Sequence, residues 1–459
     1  MNKNGENGIR NSNAVRSAIR KFSKNILGRS VFVAYSGGVD SHVLLVELEK
    51  CFKKSKTELV ALHFNHQYSK DSDIWEMHCQ ETCTKLDIKI ITGRNSQSEI
   101  FNGGKENSFR IARYRWFKSV IKDGDILVTA HHLDDQIETL MFRLIRGTGI
   151  KGMAAIEEQR KFGNGQLYRP FLGVPRKDIL EVARDGLLRW VEDKSNTDES
   201  YDRNYIRRRV LPLIQSRWPS SPTVIYRATR NLQRAQKLLE EIGESDFRNI
   251  HEEASNCRFS NYGKINIHYL NAMSTERTEN LLRYWVQKIG YEAPSSSKLT
   301  ELLRQLRTSG RINQTCVRWG TVEFRRYRGH LYLLPMQEYE SNRIIQRRWN
   351  SRQEYFGEIG IRLNLIKTIG RGLKKEGLEL NKLIIKNYRK KHQIRLYKNG
   401  RTKSLAKLFQ ELGVPPWERY RIPIVTIEEE VICVPGIGCT EHLLVNSYEP
   451  GIDFSIEET

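Results

Sequence analysis

Apolar and polar residues fall along the first half of the chain in blocks whose period changes. VFVAY (31–35) is a short β-branched run, SGGVDS follows, and HVLLVELEKCF then carries apolar residues at helical spacing. This pattern predicts strand, tight turn and helix. LVALHFN (59–65), DIKIIT (87–92) and DILVTAHH (125–132) repeat the short apolar theme, the last running into the helical stretch DDQIETLMFRLIRG. Brief apolar strands alternating with helices predict a parallel sheet covered by helices on both faces.

After about residue 215 the pattern changes. WPSSP (218–222) predicts a linker and ATRNLQRAQKLLEEIGESDFRNI (228–250) a long amphipathic helix. TERTENLLRYWVQKIG and SSKLTELLRQLRTS predict a helical pair reaching residue 309, and TCVRWGTVEFRRYRGHLYLLP (315–335) alternates like a hairpin. The expected class is α/β. A parallel-sheet domain is expected over 1–217, a mainly helical domain over 218–340 and a small α+β domain over 341–459.

Composition narrows the partners. With 459 residues, 39% hydrophobic and 28% charged, the chain suits two to four domains with real cores. No apolar run approaches the ~18–20 residues that cross a bilayer, and the N-terminus lacks the apolar core of a secretory signal. A membrane or exported protein is not expected. Seven cysteines, an odd number spread over the chain, suit a reducing cytoplasm. The net charge of +22 attracts polyanions, nucleic acid first. It is unevenly spread: residues 341–410 hold 19 Lys/Arg against 4 Asp/Glu, and residues 411–459 hold 2 against 10. Such a split suits one face turned to a polyanion.

Two segments carry candidate chemistry. In SGGVDS (Ser36–Ser41) the paired glycines let a ligand approach the backbone, both serines offer hydroxyls, and the next helix aims its N–H groups at the same place. Asp40 inside an anion cradle would repel phosphate without a cation between them, so it is expected to hold Mg²⁺. In AHHLDDQIET (130–139), Asp135 and Glu138 are three apart and share a helix face. Two such carboxylates can seat an ammonium group. His131 and His132 are available for proton transfer or phosphate contact. Arg110 and Arg113 share a face suited to phosphate. The Arg203 and Arg207–Arg209 region could neutralise charge on a transferred adenylyl group or contact RNA backbone.

SGGVDS lacks the spacing and lysine of the P-loop. It resembles instead the phosphate loop of the PP-loop, or N-type ATP pyrophosphatase, superfamily. SGGVDS, His63-Phe-Asn-His66, Arg110-x-x-Arg113-Tyr114, AHHLDDQIET, RGTG-x-x-G, RPFL, W-x-EDKSN-x-D-x-SYDRN-x-x-R and QELGVPPWERYRIPI follow in that order. Together they resemble the tRNA(Ile)-lysidine synthase family over nearly the whole chain.

That resemblance implies a Rossmann-like, adenine nucleotide alpha hydrolase domain followed by tRNA-binding domains. It implies that ATP, with Mg²⁺, adenylates the C2 oxygen of the wobble cytidine (position 34) of the isoleucine tRNA with a CAU anticodon. The ε-amino group of free L-lysine then displaces AMP, giving lysidine and changing the codon read from AUG to AUA. By matched position Ser36, Gly37, Gly38, Val39, Asp40 and Ser41 bind ATP, and Asp135 and Glu138 bind lysine. Asp40 (on the metal or as a base), His131 and Arg203 serve catalysis, and Arg110, Arg113 and Arg207 meet nucleotide or RNA. A homodimer is compatible with the family. Gln67-Tyr68 stands where the family has Gly-Leu, and Phe109 where it has a small residue. Two rival readings are a tRNA thiolase, disfavoured by the lack of C-x-x-C, and a non-catalytic RNA-binding protein, disfavoured by the intact acids.

Overall fold

The computed structural model describes residues 4–24, 26, 28–68, 70–95, 105–193, 197–252, 262–307, 315–336, 346–349, 353–356, 361–376, 378–396 and 401–458. Lys194, Ser195 and Asn196 of the EDKSN motif, and the end of the helical stretch read to 309, lie outside them. The chain forms two compact units, Met1–Leu238 and Leu239–Thr459.

In the first unit, α1 (Asn4–Ser23) precedes β1 (Val31–Ala34), α2 (Val39–Phe52), β2 (Leu59–Asn65), α3 (Ser72–Lys85) and β3 (Lys89–Arg94). Then come α4 (Lys105–Val120), β4 (Ile126–Val128), α5 (Leu133–Ile145) and a hairpin of β5 (Gln159–Phe162) with β6 (Gly165–Tyr168). The strand order is β3-β2-β1-β4-β6-β5. Every pairing is parallel except β5 with β6.

The reason lies in which side chains point where. Successive strand residues face opposite sides. Val31, Val33 and Tyr35 join Val15, Ile19, Val43, Leu44 and Ile179 on one face of the sheet. Phe32 and Ala34 turn to the other, with Val60, Leu62, Phe117 and Ile121. Both faces are therefore apolar and both are covered. From β1 the order runs outward to β2 and β3 on one side and to β4 on the other. The loops leaving the carboxyl ends of β1 and β4 diverge there and open a crevice, the usual ligand position in such sheets.

In the second unit, helices Thr275–Lys288 and Ser296–Arg307 pack Leu281, Trp285, Leu299 and Leu302 against a five-stranded antiparallel sheet. Further along the chain, five- and four-stranded sheets enclose one core that includes Phe356, Leu363, Leu383, Phe409, Ile424 and Phe454. Strand Ile361–Ile369 pairs with Pro450–Glu458 along its whole length. No helix among the described residues is long and apolar enough to cross a membrane.

Three expectations need correction. The linker at 218–222 is shorter than read, because a helix, Ser221–Ile250, starts inside it. Pro222 falls in its first turn, where a missing N–H costs nothing. The segment 315–335 forms three strands, Cys316–Trp319, Val322–Tyr327 and His330–Pro335, not a simple hairpin. The fourth strand stops at Val128, well before His132.

Close approach of α4 to β3 depends on Gly93. A Cβ there would lie 2.3 Å from Trp116 Cε2. Gly93→Ala is predicted to destabilise the protein by about 1–3 kcal/mol through overpacking, read as a lower urea midpoint. Adding Trp116→Leu should recover part of the loss. An unchanged midpoint in the single variant would contradict this packing.

Candidate active site

The turn between β1 and α2 is shaped by one backbone angle and several short hydrogen bonds. Gly37 has φ +83°, a left-handed conformation that side chains resist. A Cβ at Gly37 would also press to 3.0 Å from Cys79 Sγ. Cys79 and Cys83 are wholly buried on α3, and burial raises both thiols above the ordinary range. They serve as packing beneath the loop. Val191 N–H donates to the Gly37 carbonyl at 3.0 Å and ties the turn down from outside.

Inside the turn, Ser41 Oγ donates to the Gly38 carbonyl at 3.0 Å and accepts from Ser36 N–H at 3.2 Å. With its only proton so engaged, Ser41 Oγ must accept from Ser36 Oγ, 3.1 Å away. Gly38 opens α2 without a side-chain cap, so the first N–H groups of the helix remain available to an anion.

Asp40 is in the first turn of α2. Its Oδ1 is buried with no hydrogen-bond partner. Arg176 Nε lies 3.5 Å from that atom, and His132 Nε2 lies 3.8 Å from Oδ2. A buried carboxylate oxygen that has a guanidinium near it but no hydrogen bond, inside an anion cradle, suits a bound cation.

The second constellation forms at the end of β4. The chain leaves the sheet at Thr129, whose hydroxyl is 2.8 Å from His131 Nδ1. His132 then caps α5: its Nδ1 accepts from Asp135 N–H at 3.4 Å, and Asp135 Oδ2 accepts from His132 N–H at 2.9 Å. This reciprocal pair fixes the start of α5 and aims Asp135. Arg207 reaches across to it. Its Nε and Nη2 donate to the two Glu138 oxygens at 2.6 and 2.9 Å, and Nη2 also reaches Asp135 Oδ1 at 3.4 Å.

Electrostatics differ between the two acids. Burial works to raise both. For Asp135 the His132 and His131 rings, the His132 N–H and Arg207 outweigh burial and hold the carboxyl below its usual range. For Glu138, almost fully buried, burial prevails over Arg207 and the carboxyl titrates above its usual range. Burial, with Arg169, Arg110 and Arg113, pushes His131 down to about 3, against the pull of Asp135. Its imidazole is neutral at physiological pH.

A cavity of about 450 Å³ joins these parts. Ser36, Gly38, Asp40, Ser41, His63, His66, Arg113, His131 and Asp135 all line it. Several expected residues lie elsewhere. Gly37 and Val39 shape the turn without lining the cavity. Glu138 and Arg207 pair beside it, so the carboxylate that faces the cavity from α5 is Asp135. Arg110 lies over the Tyr114 ring at 5.3 Å and lines a second, smaller pocket. Arg203 lies over the Phe142 ring at 5.8 Å. Sequence reasoning missed Arg176; its only signal was a basic residue opening a helix after RPFL-x-x-P.

Comparison with known proteins identifies the domains that the chain carries. Residues 11–214 match the family model described as PP-loop domain. Residues 266–332 match the TilS substrate binding domain, and residues 383–456 the TilS substrate C-terminal domain. The tRNA(Ile)-lysidine synthase of Legionella pneumophila (strain Paris) is 34% identical over 425 residues, covering 92% of this chain and 93% of that protein. That of Coxiella burnetii (strain RSA 493 / Nine Mile phase I) is 31% identical over 439 residues, covering 95% of each. That of Methylococcus capsulatus is 33% identical, covering 89% of this chain and 92% of that protein. With a phosphate-loop sheet domain and both TilS domains in one chain, this protein belongs to the tRNA(Ile)-lysidine synthase family.

Proposed function

We propose that the chain joins L-lysine to C2 of the wobble cytidine of the CAU-anticodon isoleucine tRNA, consuming ATP and releasing AMP and pyrophosphate. One observation carries the reading: the Ser36–Ser41 turn and Asp135 line the same cavity at the carboxyl ends of β1 and β4.

In this reading the ATP phosphates lie on the turn, against the Ser36 and Ser41 hydroxyls and the N-terminus of α2. Asp40 would hold Mg²⁺, which when bound offsets phosphate charge beside that carboxylate. Arg113, on the cavity wall, is placed to neutralise charge on the adenylyl group during transfer. Neutral His131 offers one nitrogen to the cavity while Thr129 orients the ring through the other. The tRNA cytidine enters at the open side.

Lysine arrives as an ammonium with an ordinary pKa of ~10.4 and must attack as the neutral amine. Asp135 is the carboxylate available to orient it. Asp135 or Asp40 takes its proton. Glu138 acts through Arg207, whose guanidinium also touches Asp135 and so limits how that carboxylate can turn. Arg110, over Tyr114 and close enough to act on His131, would meet nucleotide or RNA, and Arg203, over Phe142, would support the adenylation and substitution steps.

The reading is tested by pyrophosphate release from ATP with lysine and tRNA. Release that needs both lysine and the CAU-anticodon tRNA supports it; release that needs a sulfur donor, or no turnover, contradicts it. Asp135→Asn keeps the oxygen that accepts from His132 N–H but removes the charge. It is predicted to raise the KM for lysine about 10-fold or more, the value of a charged hydrogen bond, with the KM for ATP within about 2-fold. An unchanged lysine KM would contradict the assignment. His131 titrates near 3 and stays neutral above about pH 4. His131→Gln should therefore lower the rate without changing the shape of the pH–rate profile between about pH 5 and 8. Loss of a limb in that window would show that His131 gains a proton there.

A further inference from the structure

The turn after β2 is anchored and strained more than a surface loop needs. Asn65, buried at the end of β2, donates through Nδ2 to Asp73 Oδ1 at 3.0 Å and to Glu76 Oε2 at 2.7 Å. Glu76 is itself held by Arg94 through two hydrogen bonds. Asn65 Oδ1 accepts from Gln67 N–H at 2.8 Å. That contact accompanies φ +52° at Gln67, a left-handed backbone that a residue with a side chain resists.

Tyr68 follows this turn directly. This residue is 63% exposed, so burial does not account for its placement. Its ring centroid lies 5.1 Å from that of Phe109 with the planes 54° apart. Phe109 lies 5.1 Å from His66 at 42°, and His66 lines the catalytic cavity. Three aromatic rings thus lead from the cavity to the surface. Burial, Arg113 and His63 lower His66 to about 4, so the innermost ring is uncharged.

We propose that Tyr68 and Phe109, continuing from His66, form a stacking platform for an unpaired base of the RNA substrate neighbouring the nucleotide that reacts. The inference rests on the reading that the chain modifies tRNA. An unpaired base is recognised by stacking on aromatic rings, with its phosphates on a basic surface. A basic surface is available on the helix that carries Phe109: Arg110 and Lys118 on α4, with Arg160 and Lys161, line a pocket of about 290 Å³. The adenine of ATP is the less suited occupant. Its phosphates are expected on the Ser36–Ser41 turn inside the cavity, and neither Tyr68 nor Phe109 lines that cavity.

The test measures equilibrium binding of the CAU-anticodon tRNA by filter retention, with wild type, Tyr68→Ala and Tyr68→Phe. Tyr68 is exposed, so neither change should disturb folding. Tyr68→Ala should weaken binding by about 5- to 150-fold, the loss expected for one base–aromatic stack. Tyr68→Phe should bind within about 2-fold of wild type. The slope of log Kd against log salt should stay the same, because no phosphate contact is removed. Wild-type affinity in Tyr68→Ala would overturn the proposal. So would a shallower salt slope, or a raised KM for ATP with tRNA binding intact. Binding does not require turnover: an inactive wild-type protein would defeat the functional reading while these affinities still decide the platform.

Discussion

The site depends on a turn that glycine makes without strain. At Gly37 the backbone enters the left-handed region, and a Cβ there would press on Cys79 Sγ at 3.0 Å. With that turn closed, Ser36 and Ser41 face each other across it and α2 begins at Gly38 with its N–H groups open. A side chain at Gly37 would strain the turn through its positive φ and push Cys79 aside by a few tenths of an ångström. The buried thiols of α3, chemically quiet because burial disfavours the thiolate, are the floor on which the phosphate loop rests.

The opposite wall is built from charge. Two acids on one face of α5 would repel each other, and Glu138 is buried as well. Arg207 resolves this by forking onto Glu138 and touching Asp135. The pairing places a fixed guanidinium beside the cavity and leaves Asp135 as the acid that faces it. His132 adds the second restraint by capping the helix that carries both acids. A buried charge pair of this kind contributes less to stability than to holding groups in one arrangement, which is what an amine-directing site needs.

Much of this was legible in the residues. The run LVALHFN coincides with β2, Leu59–Asn65, because a strand buried on both faces is apolar over most of its length, the polar His63 and Asn65 falling at its carboxyl end. SGGVDS marked the turn because two glycines and two hydroxyls serve no purpose in a merely structural connection. DILVTAHH misled, since its apolar pattern continues past the point where the chain leaves the sheet to set His131 and cap α5. The β5–β6 hairpin was missed because QRKF and GQLY are short and largely polar, and they pair only because β4 offers them an edge. Arg207 read as one of three adjacent arginines. Which of them turns inward is decided by the helical twist of 206–210, and charge counting cannot see it. The face shared by Asp135 and Glu138 was correct as helix geometry, yet spacing alone could not show that an arginine 69 residues away takes up one of the pair.

The central claim is that one crevice holds pyrophosphate on the glycine turn and an amine beside Asp135. A crystal structure of the protein soaked with a non-hydrolysable ATP analogue and L-lysine tests it most directly. The account predicts phosphate density against Ser36 and Ser41, and the lysine ε-nitrogen within hydrogen-bond reach of an Asp135 oxygen in the same cavity. Phosphate density away from the turn, or lysine bound outside that cavity, would contradict it.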